Sequence, residues 1–343
     1  MKVGIVGFPG SGKTTIFNAL TSLDIPTGDY GGGKVQLGTI EVPDQRIDRL
    51  VEIYSPKKIT FAELTCVDIP GNHAKAQAGL DSITLQHIRD VNALALILGS
   101  YKADATTPES ELESFLSELV LTDLLLLEKR IAALSKQADR KEEKALLESM
   151  VSHLENGTPL TQMTLDKNSE EMLRQYAFVS DKPIVVVVNV NEDNLNGESC
   201  RSLESKLGER GHTAFCLSGP LECELAGLEA DEQREFLSEL ELEETARNRF
   251  IRATFDALNL ITFLTAGDKE VRAWPVRAGS NARSAAGKIH TDLERGFIRA
   301  EVFHFDEISL LGSENQLKAE GKLRVEGKEY IVKDGDVMLI RHS

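Results

Sequence analysis

A glycine-rich segment near the start of the chain has the types and spacing of residues that bind nucleotide phosphates. It reads Gly7-Phe8-Pro9-Gly10-Ser11-Gly12-Lys13-Thr14 and fits the pattern G-x-x-x-x-G-K-[ST]. Its glycines let backbone N–H groups turn towards phosphate oxygens at the positive end of the following helix. Lys13 is expected to reach the β- and γ-phosphates, and the Thr14 hydroxyl to ligate Mg²⁺. The predicted phosphate-binding residues are Gly10, Ser11, Gly12, Lys13, Thr14 and Thr15.

A second part of the phosphate site is expected where a later apolar run ends, at Val67-Asp68-Ile69-Pro70-Gly71. Asp68 is predicted to hold Mg²⁺ through its water shell, and the N–H of Gly71 to sense the γ-phosphate. The next two residues leave alternatives open. Asn72 could orient an attacking water and His73 could act as a base near neutral pH, or both could be solvated loop residues. The candidate catalytic residues are Lys13, Asp68, Gly71 and Asn72.

A third element concerns the choice of base. After the apolar run Ile184–Val188 comes Asn189-Val190-Asn191-Glu192, where GTPases have N-K-x-D and their Asp accepts two hydrogen bonds from guanine. Glu192 is one methylene longer, so its carboxylate reaches the same place only if the backbone shifts. Losing the guanine contact should weaken GTP preference by about 1–3 kcal/mol, which favours ATP. The alternative is that Glu192 is only a carboxylate at a helix start.

The predicted base-binding residues come from two loops. They are Asn189, Val190 and Glu192, together with Ser218 and Gly219 of the loop after the run Ala214–Leu217, whose backbone N–H groups could contact a purine.

The composition of the chain indicates the kind of protein that carries this site. The chain has 343 residues and a net charge of −16, although residues 262–343 hold 13 basic and 13 acidic residues and are neutral. An acidic body repels nucleic acid at long range, whereas a neutral part permits contact with it. No apolar run approaches the roughly 18 residues that a membrane span needs, and the start lacks a signal-peptide core. The four cysteines show no paired or metal-ligand spacing. We therefore expect a cytoplasmic protein without membrane association.

The elements that must position the site alternate between apolar strands and helical stretches, which predicts an α/β fold with a mostly parallel sheet covered on both faces. A helical insertion interrupts this pattern from Glu109 to about Asn156. It contains two leucine-rich seams, the first with members at Leu116, Val120 and Ala138 and the second from Leu147 to Leu154, which predict an antiparallel pair of helices. The pair could serve only for packing between the two helices, or it could also bind a partner. The predicted strands are Val3–Val6, Leu64–Val67, Leu94–Leu98, Ile184–Val188 and Ala214–Leu217.

The end of the chain predicts a small α+β domain. Strand-like runs surround a helix near Ala282–Lys288. Trp274 lies between Arg272 and Arg277, which suits either an RNA contact or packing in the core. The predicted strands are Val271–Val276, Phe297–Phe303, Lys322–Val325, Tyr330–Val332 and Val337–Ile340.

Over nearly its full length the chain resembles the YchF/Obg-like ATPases, a family of translation-factor-related P-loop proteins. The similarity rests on the segments already described, on Ile40–Asp44 and Tyr54–Lys58, and on the C-terminal blocks Thr262–Trp274, Ala285–Asp292 and Gly296–Glu301. It implies a P-loop G domain (1–104 and 180–260), an inserted coiled-coil arm (105–179) and a β-grasp, TGS-like domain (261–343). It also implies ATP binding and hydrolysis, association with the ribosome or ribosomal RNA, and a monomer.

Departures from the family pattern leave hydrolysis open. Gly10 stands where the family usually has an Asn associated with K⁺ coordination, so K⁺ binding is doubtful. The segment Gly31–Gly33 lacks the Mg²⁺-binding Thr expected there, and Tyr101–Pro108 lacks a His used in hydrolysis. We therefore carry three functions: a slow ATPase that acts as a ribosome-associated switch, a nucleotide-responsive ribosome- or RNA-binding adaptor with little turnover, and a GTP-binding protein.

Overall fold

The computed structural model describes residues 1–27, 35–70, 80–100, 107–135, 140–195 and 197–343. These form two compact units. The first contains residues 1–39 and 65–257, and the second contains residues 40–64 and 258–343. The predicted division at residues 104, 179 and 260 stays a prediction. The two units differ from it in placing residues 40–64 with the C-terminal part of the chain.

The first unit is built on a six-stranded sheet with the order β2-β4-β1-β5-β6-β7. Strand β1 runs parallel to β4 and β5, and β6 runs parallel to β5 and β7. All five predicted strands are confirmed, and their buried residues form the core because both faces of the sheet are covered. The strand bounds are β1 Lys2–Gly7, β2 Gln36–Val42, β4 Ala62–Asp68, β5 Ala93–Gly99, β6 Ile184–Asn189 and β7 Thr213–Leu217.

Strand β2 was not predicted, because its alternate residues are exposed and it contains Gly38, so that no continuous apolar run marks it. Helices separate the strands of this unit. Their bounds are α1 Lys13–Thr21, α3 Ser82–Asp90, α4 Pro108–Leu134, α5 Lys141–Glu155, α6 Lys167–Leu173, α7 Glu198–Glu209, α8 Gly219–Ala226, α9 Ala230–Glu239 and α10 Ala246–Ala257.

The helical insertion is a pair formed by α4 and α5. Thr107 caps α4 by accepting a hydrogen bond from the N–H of Ser110, and Pro108 stands at the start of the helix. Residues such as Val120, Leu127 and Leu147 bury the contact between the two helices. Leu116 was wrongly placed in this seam, because it packs against the core of the sheet instead. Ala138 lies outside the described residues.

A buried aspartate in α4 holds the insertion to the segment before β6. Asp123 is fully buried, and its carboxylate accepts hydrogen bonds from the Val179 N–H at 3.1 Å and from the Ser180 N–H and hydroxyl, both at 2.7 Å. Burial raises the pKa of this carboxyl, and the bonds from Ser180 and Val179 oppose that rise. The leucine pattern gave no sign of this anchor.

The second unit is a mixed sheet with the order β11-β10-β12-β8-β9-β3. Its central pair, β12 and β8, is parallel, and helix α11 packs on the sheet, which makes a β-grasp arrangement. The strand bounds are β3 Lys58–Thr60, β8 Leu260–Thr265, β9 Glu270–Arg277, β10 Phe297–His304, β11 Arg324–Glu326 and β12 Asp336–His342. The helices are α2 Gln45–Tyr54, α11 Ala282–Ile289, α12 Thr291–Arg295, α13 Phe305–Leu311 and α14 Glu314–Ala319.

Most predicted elements of this unit are confirmed, and two are corrected. Tyr330–Val332 is not a strand, because only Ile331 makes an isolated bridge, to Asn281. The strand predicted at Lys322–Val325 begins later, at Arg324. Trp274 packs in the core of the unit, where its ring stacks on Phe263 with centroids 6.4 Å apart.

Specific contacts place the middle of the segment 40–64 in this unit, whereas its ends, 40–42 and 62–64, belong to strands β2 and β4. Asp44 caps α2, and Arg46 bridges Asp44 and Asp334, each at 2.7 Å. The Tyr54 hydroxyl donates to Glu314 at 3.0 Å. Strand β3 then adds to the edge of the sheet by parallel pairing with β9. A segment that stands between two parts of the first unit in sequence is therefore folded into the second.

Candidate nucleotide site

The loop between β1 and α1 has a conformation that depends on its glycines. Gly10 and Gly12 have φ angles of 75° and 86°, in the left-handed region that side chains disfavour. A Cβ atom at Gly7 would lie 2.4 Å from the carbonyl oxygen of Ile97, so no side chain fits there. Gly12 occupies the N-cap of α1 and offers no capping side chain. The first N–H groups of α1 are therefore left for an anion, as the sequence pattern predicts.

Thr14 and Asp68 meet beneath this loop. The Thr14 hydroxyl donates to Asp68 Oδ2 at 3.1 Å, and the second carboxylate oxygen, Oδ1, is buried without a hydrogen-bond partner in the described part of the chain. Burial raises the pKa of Asp68, while the charge of Lys13 and the bond from Thr14 oppose that rise. The buried hydroxyl of Ser11 also lacks a partner among the described residues.

These two residues fit a magnesium ion. A hydroxyl and a carboxylate are oxygen ligands of the kind that Mg²⁺ binds. The Oδ1 atom of Asp68 is buried without a hydrogen-bond partner in the described residues, and a buried charge of this kind is stabilised by a nearby cation. The site supports nucleotide binding with the usual requirement for Mg²⁺ in this class of fold.

Asn189 ties the phosphate loop to the loop after β7. Its side-chain amide donates to the carbonyl oxygen of Ser11 at 3.0 Å, and its side-chain oxygen accepts from the N–H of Gly219, also at 3.0 Å. All three groups are buried. The side chain of Asn189 thus holds two walls of the site together, a role that the sequence pattern alone did not reveal.

The other predicted base-binding residues occupy different environments. The side chain of Val190 packs in the core of the sheet, and its N–H donates to the Leu217 carbonyl at 2.9 Å. Glu192 is exposed and begins a short 3-10 turn that ends at Asn194, so both interpretations of its carboxylate stay open. Ser218 is buried at the N-cap of α8, next to Gly219.

Helix α8 also brings a buried acid close to the site that the sequence analysis missed. Glu222 is 6% exposed and accepts a hydrogen bond from the N–H of Ala246 at 3.1 Å, at the start of α10. Burial raises its pKa to about 7, although the Ala246 bond and the charge of Arg249 oppose the rise. The available signal was an acid in the first turn of a helix that follows a strand.

Some predicted residues lie outside the described part of the chain. These are Gly71, Asn72 and His73 of the second phosphate element, and Gly31–Gly33. Their roles stay predictions. In the described residues, no helix is both long and apolar enough to cross a membrane.

The parallel sheet, the glycine loop at an open helix end and the Thr14–Asp68 pair define a P-loop nucleoside-triphosphate-binding protein. Comparisons with known proteins narrow this class. A family model described as "50S ribosome-binding GTPase" matches residues 2–130, and the YchF GTPase C-terminal model, described as a protein of unknown function, matches residues 260–343. The chain belongs to the YchF family.

Similar proteins cover the chain from end to end. It is 39% identical to the ribosome-binding ATPase YchF of Haemophilus ducreyi, with 100% of this chain and 99% of the relative covered. It is 35% identical to the protein of that name from Bacillus subtilis, with the same coverage. The solved structure of the Schizosaccharomyces pombe YchF GTPase superposes with a TM-score of 0.86 at 29% identity, covering 99% of this chain and 97% of the other. These matches confirm the resemblance and the fold class.

Proposed function

We propose that the chain binds ATP with Mg²⁺, hydrolyses it slowly, and acts as a ribosome-associated nucleotide switch. One observation supports this most: the Thr14–Asp68 pair with its orphaned carboxylate oxygen, set beneath an open helix N-terminus. The relatives that match along the full chain are named ribosome-binding ATPases, which supports both the reaction and the partner.

The residues of this chain divide the chemistry among them. Backbone N–H groups of the loop bind the phosphates, and Lys13 adds a charge-assisted bond to the β- and γ-phosphates. Thr14 and Asp68 hold Mg²⁺, which when bound neutralises charge on the β- and γ-phosphate oxygens. Gly71 senses the γ-phosphate through its N–H, and Asn72 orients the attacking water.

Specificity for ATP follows from the base loop. Glu192 is exposed at the start of a tight turn, and its side chain is one methylene longer than the Asp that binds guanine in GTPases. Neither Val190, whose side chain is in the core, nor Asn189, whose amide is already engaged, replaces that contact. The loop therefore gives GTP no advantage.

The second candidate is an adaptor with little turnover. Gly10 has a left-handed backbone and carries no side chain that could coordinate K⁺. The departure at Gly31–Gly33 favours the same candidate, since no hydroxyl stands there for Mg²⁺. Both candidates bind ATP, and they differ in whether phosphate is released.

Three measurements separate the candidates. The first is release of inorganic phosphate from ATP and from GTP in a single turnover, in K⁺ and in Na⁺ buffer, with Lys13→Ala as the inactive control. The second is pelleting with purified ribosomes in the presence of a non-hydrolysable ATP analogue or ADP. The third is sedimentation of the free chain, where we expect a monomer. We expect the wild type to release phosphate from ATP and Lys13→Ala to release none. We also expect the amount of chain that pellets with ribosomes to depend on the nucleotide. ATP-dependent pelleting without phosphate release would favour the adaptor, and faster release from GTP would overturn the choice of ATP.

A further inference from the structure

One edge of the C-terminal sheet is open over part of its length. Strand β12 pairs with β10 from one end to the other, and on its opposite side it runs parallel to β8, with Val337 opposite Leu264. In that register β8 ends at Thr265. Of the residues that the structure describes, Leu339–His342 therefore have no strand partner on that side. Alternate residues of a strand direct their N–H and C=O groups towards each neighbour, so this part of β12 presents unpaired backbone groups.

The open edge faces a cavity of 380 Å³. Its opposite wall is the loop between β8 and β9, residues 266–269. This loop is held in place, because the N–H of Lys57 donates to the Asp268 carbonyl at 3.1 Å. Beside it, the Trp274 indole N–H donates to the Thr265 hydroxyl oxygen at 3.1 Å. These hydrogen bonds fix the wall of the recess, which lowers the cost of binding a ligand there.

The cavity has apolar side chains that remain partly accessible. Four half-buried side chains line it: Trp274, Ile289, Leu293 and Ile340. Of these, Trp274, Ile289 and Ile340 also pack against the buried core of the unit. The guanidinium of Arg272 lies 4.0 Å from the centroid of the Trp274 ring and so covers one face of the indole. An apolar group entering the cavity would meet fixed hydrophobic atoms next to unpaired backbone.

We propose that this recess binds an extended peptide segment of another protein, which adds to β12 as a strand and places one apolar side chain in the cavity. An unpaired strand edge requires alternating donors and acceptors at strand spacing, and an extended backbone supplies both. The recess of 380 Å³ has room for an apolar side chain of such a segment. The inference concerns the second unit and does not depend on the nucleotide site.

Glycines of the unit offer a matched pair of variants. Gly267 lines the cavity, has an unstrained backbone, and an added Cβ there would meet nothing within 4 Å. Gly267→Phe therefore places a ring at the recess without disturbing the fold. Gly327 is equally free of neighbours and is absent from the cavity lining, so Gly327→Phe is the control.

The probe is a positional-scanning library of acetylated and amidated hexapeptides, with apolar residues varied at alternate positions. It is screened by fluorescence anisotropy against the full chain. The best member is then remade with alternate backbone nitrogens methylated, once for each edge of the peptide strand. We expect methylation of one edge to weaken binding at least tenfold and methylation of the other edge to have little effect. Gly267→Phe should weaken binding at least tenfold, Gly327→Phe should not, and hydrogen exchange of residues 338–342 should slow when peptide binds.

Three results would overturn the proposal. The first is a library with no binding member. The second is equal binding by both methylated peptides, which would make the recess a pocket for side chains or small molecules only. The third is that no peptide binds, while the chain self-associates and Gly267→Phe abolishes this self-association. That result would show that the open edge of β12 binds a second copy of the chain.

Discussion

Asn189 is the residue whose replacement tests the construction of the nucleotide site most directly. Its amide and side-chain oxygen each make a 3.0 Å hydrogen bond, to the Ser11 carbonyl and from the Gly219 N–H. Asn189→Ala removes both and leaves two buried backbone groups without these partners. A buried group left unpaired costs about 1–3 kcal/mol, so with two such groups the free energy of unfolding should fall by about 2–6 kcal/mol.

Asn189→Ala should also weaken nucleotide binding, because Ser11 belongs to the phosphate loop and Gly219 to the predicted base loop. We expect ATP-analogue affinity, measured by calorimetry, to fall at least tenfold. Asn189→Asp separates the two bonds, because a carboxylate still accepts from Gly219 but cannot donate to the Ser11 carbonyl. It should bind no better than Asn189→Ala, since it sets a negative oxygen against a carbonyl.

The matched control is Asn191→Ala, an exposed residue of the same loop. It should leave the urea midpoint and the ATP-analogue affinity near those of the wild type. If Asn189→Ala unfolded within about 0.5 kcal/mol of the wild type, as surface substitutions do, the two bonds would not hold the loops together. An unchanged affinity in a destabilised variant would restrict Asn189 to a structural role.

Three further predictions concern the same unit. Lys13→Ala should weaken ATP-analogue binding by about 2–3 kcal/mol in calorimetry, because a charge-assisted bond to phosphate is lost, and unchanged affinity would contradict the phosphate-loop assignment. Glu192→Asp, at an exposed position, should raise GTP affinity relative to ATP in competition binding, and a wild type that already prefers GTP tenfold would show the base argument to be wrong. Glu222 has a folded-state pKa of about 7 against an ordinary 4.5, so its contribution to stability is fully present below pH 4.5 and is lost as the pH rises through 7. Glu222→Gln should therefore have a higher free energy of unfolding than the wild type at pH 8, by at most about 3 kcal/mol, and this difference should vanish near pH 4.5. A difference in free energy of unfolding that does not change with pH would refute this.

The sequence predicts the phosphate loop well because its chemistry is local. The conformations of Gly10 and Gly12 and the start of α1 are set by neighbours in sequence, so the pattern from Gly7 to Thr15 determines them. The central strands are also marked locally, since both of their faces are buried and their residues form apolar runs. Thr14 and Asp68 were each predicted as magnesium-binding residues from their own motifs, and the structure brings their side chains together.

What the sequence did not predict depends on contacts between distant residues. The sequence predicts Asn189 only as a base-binding residue, and the structure adds that its side chain joins two segments that are far apart in the chain. Asp123 sits in a leucine-rich helix and looks like a solvated charge until Ser180 is brought against it. Strand β8 was missed because the run Leu260–Thr265 follows α10 closely and contains polar threonines. The roles of Asn189 and Asp123 depend on partners that no local pattern specifies.

The inclusion of residues 40–64 in the second unit has a practical consequence for dissecting the molecule. The matching C-terminal family model spans residues 260–343, which suggests an obvious fragment to express by itself. That fragment would lack the edge strand β3 and the helix α2, and it would leave Asp334 and Glu314 without Arg46 and Tyr54. An uncovered strand edge promotes aggregation. A fragment faithful to the intact protein therefore needs two stretches of chain, either joined by a designed linker or supplied as two peptides that assemble.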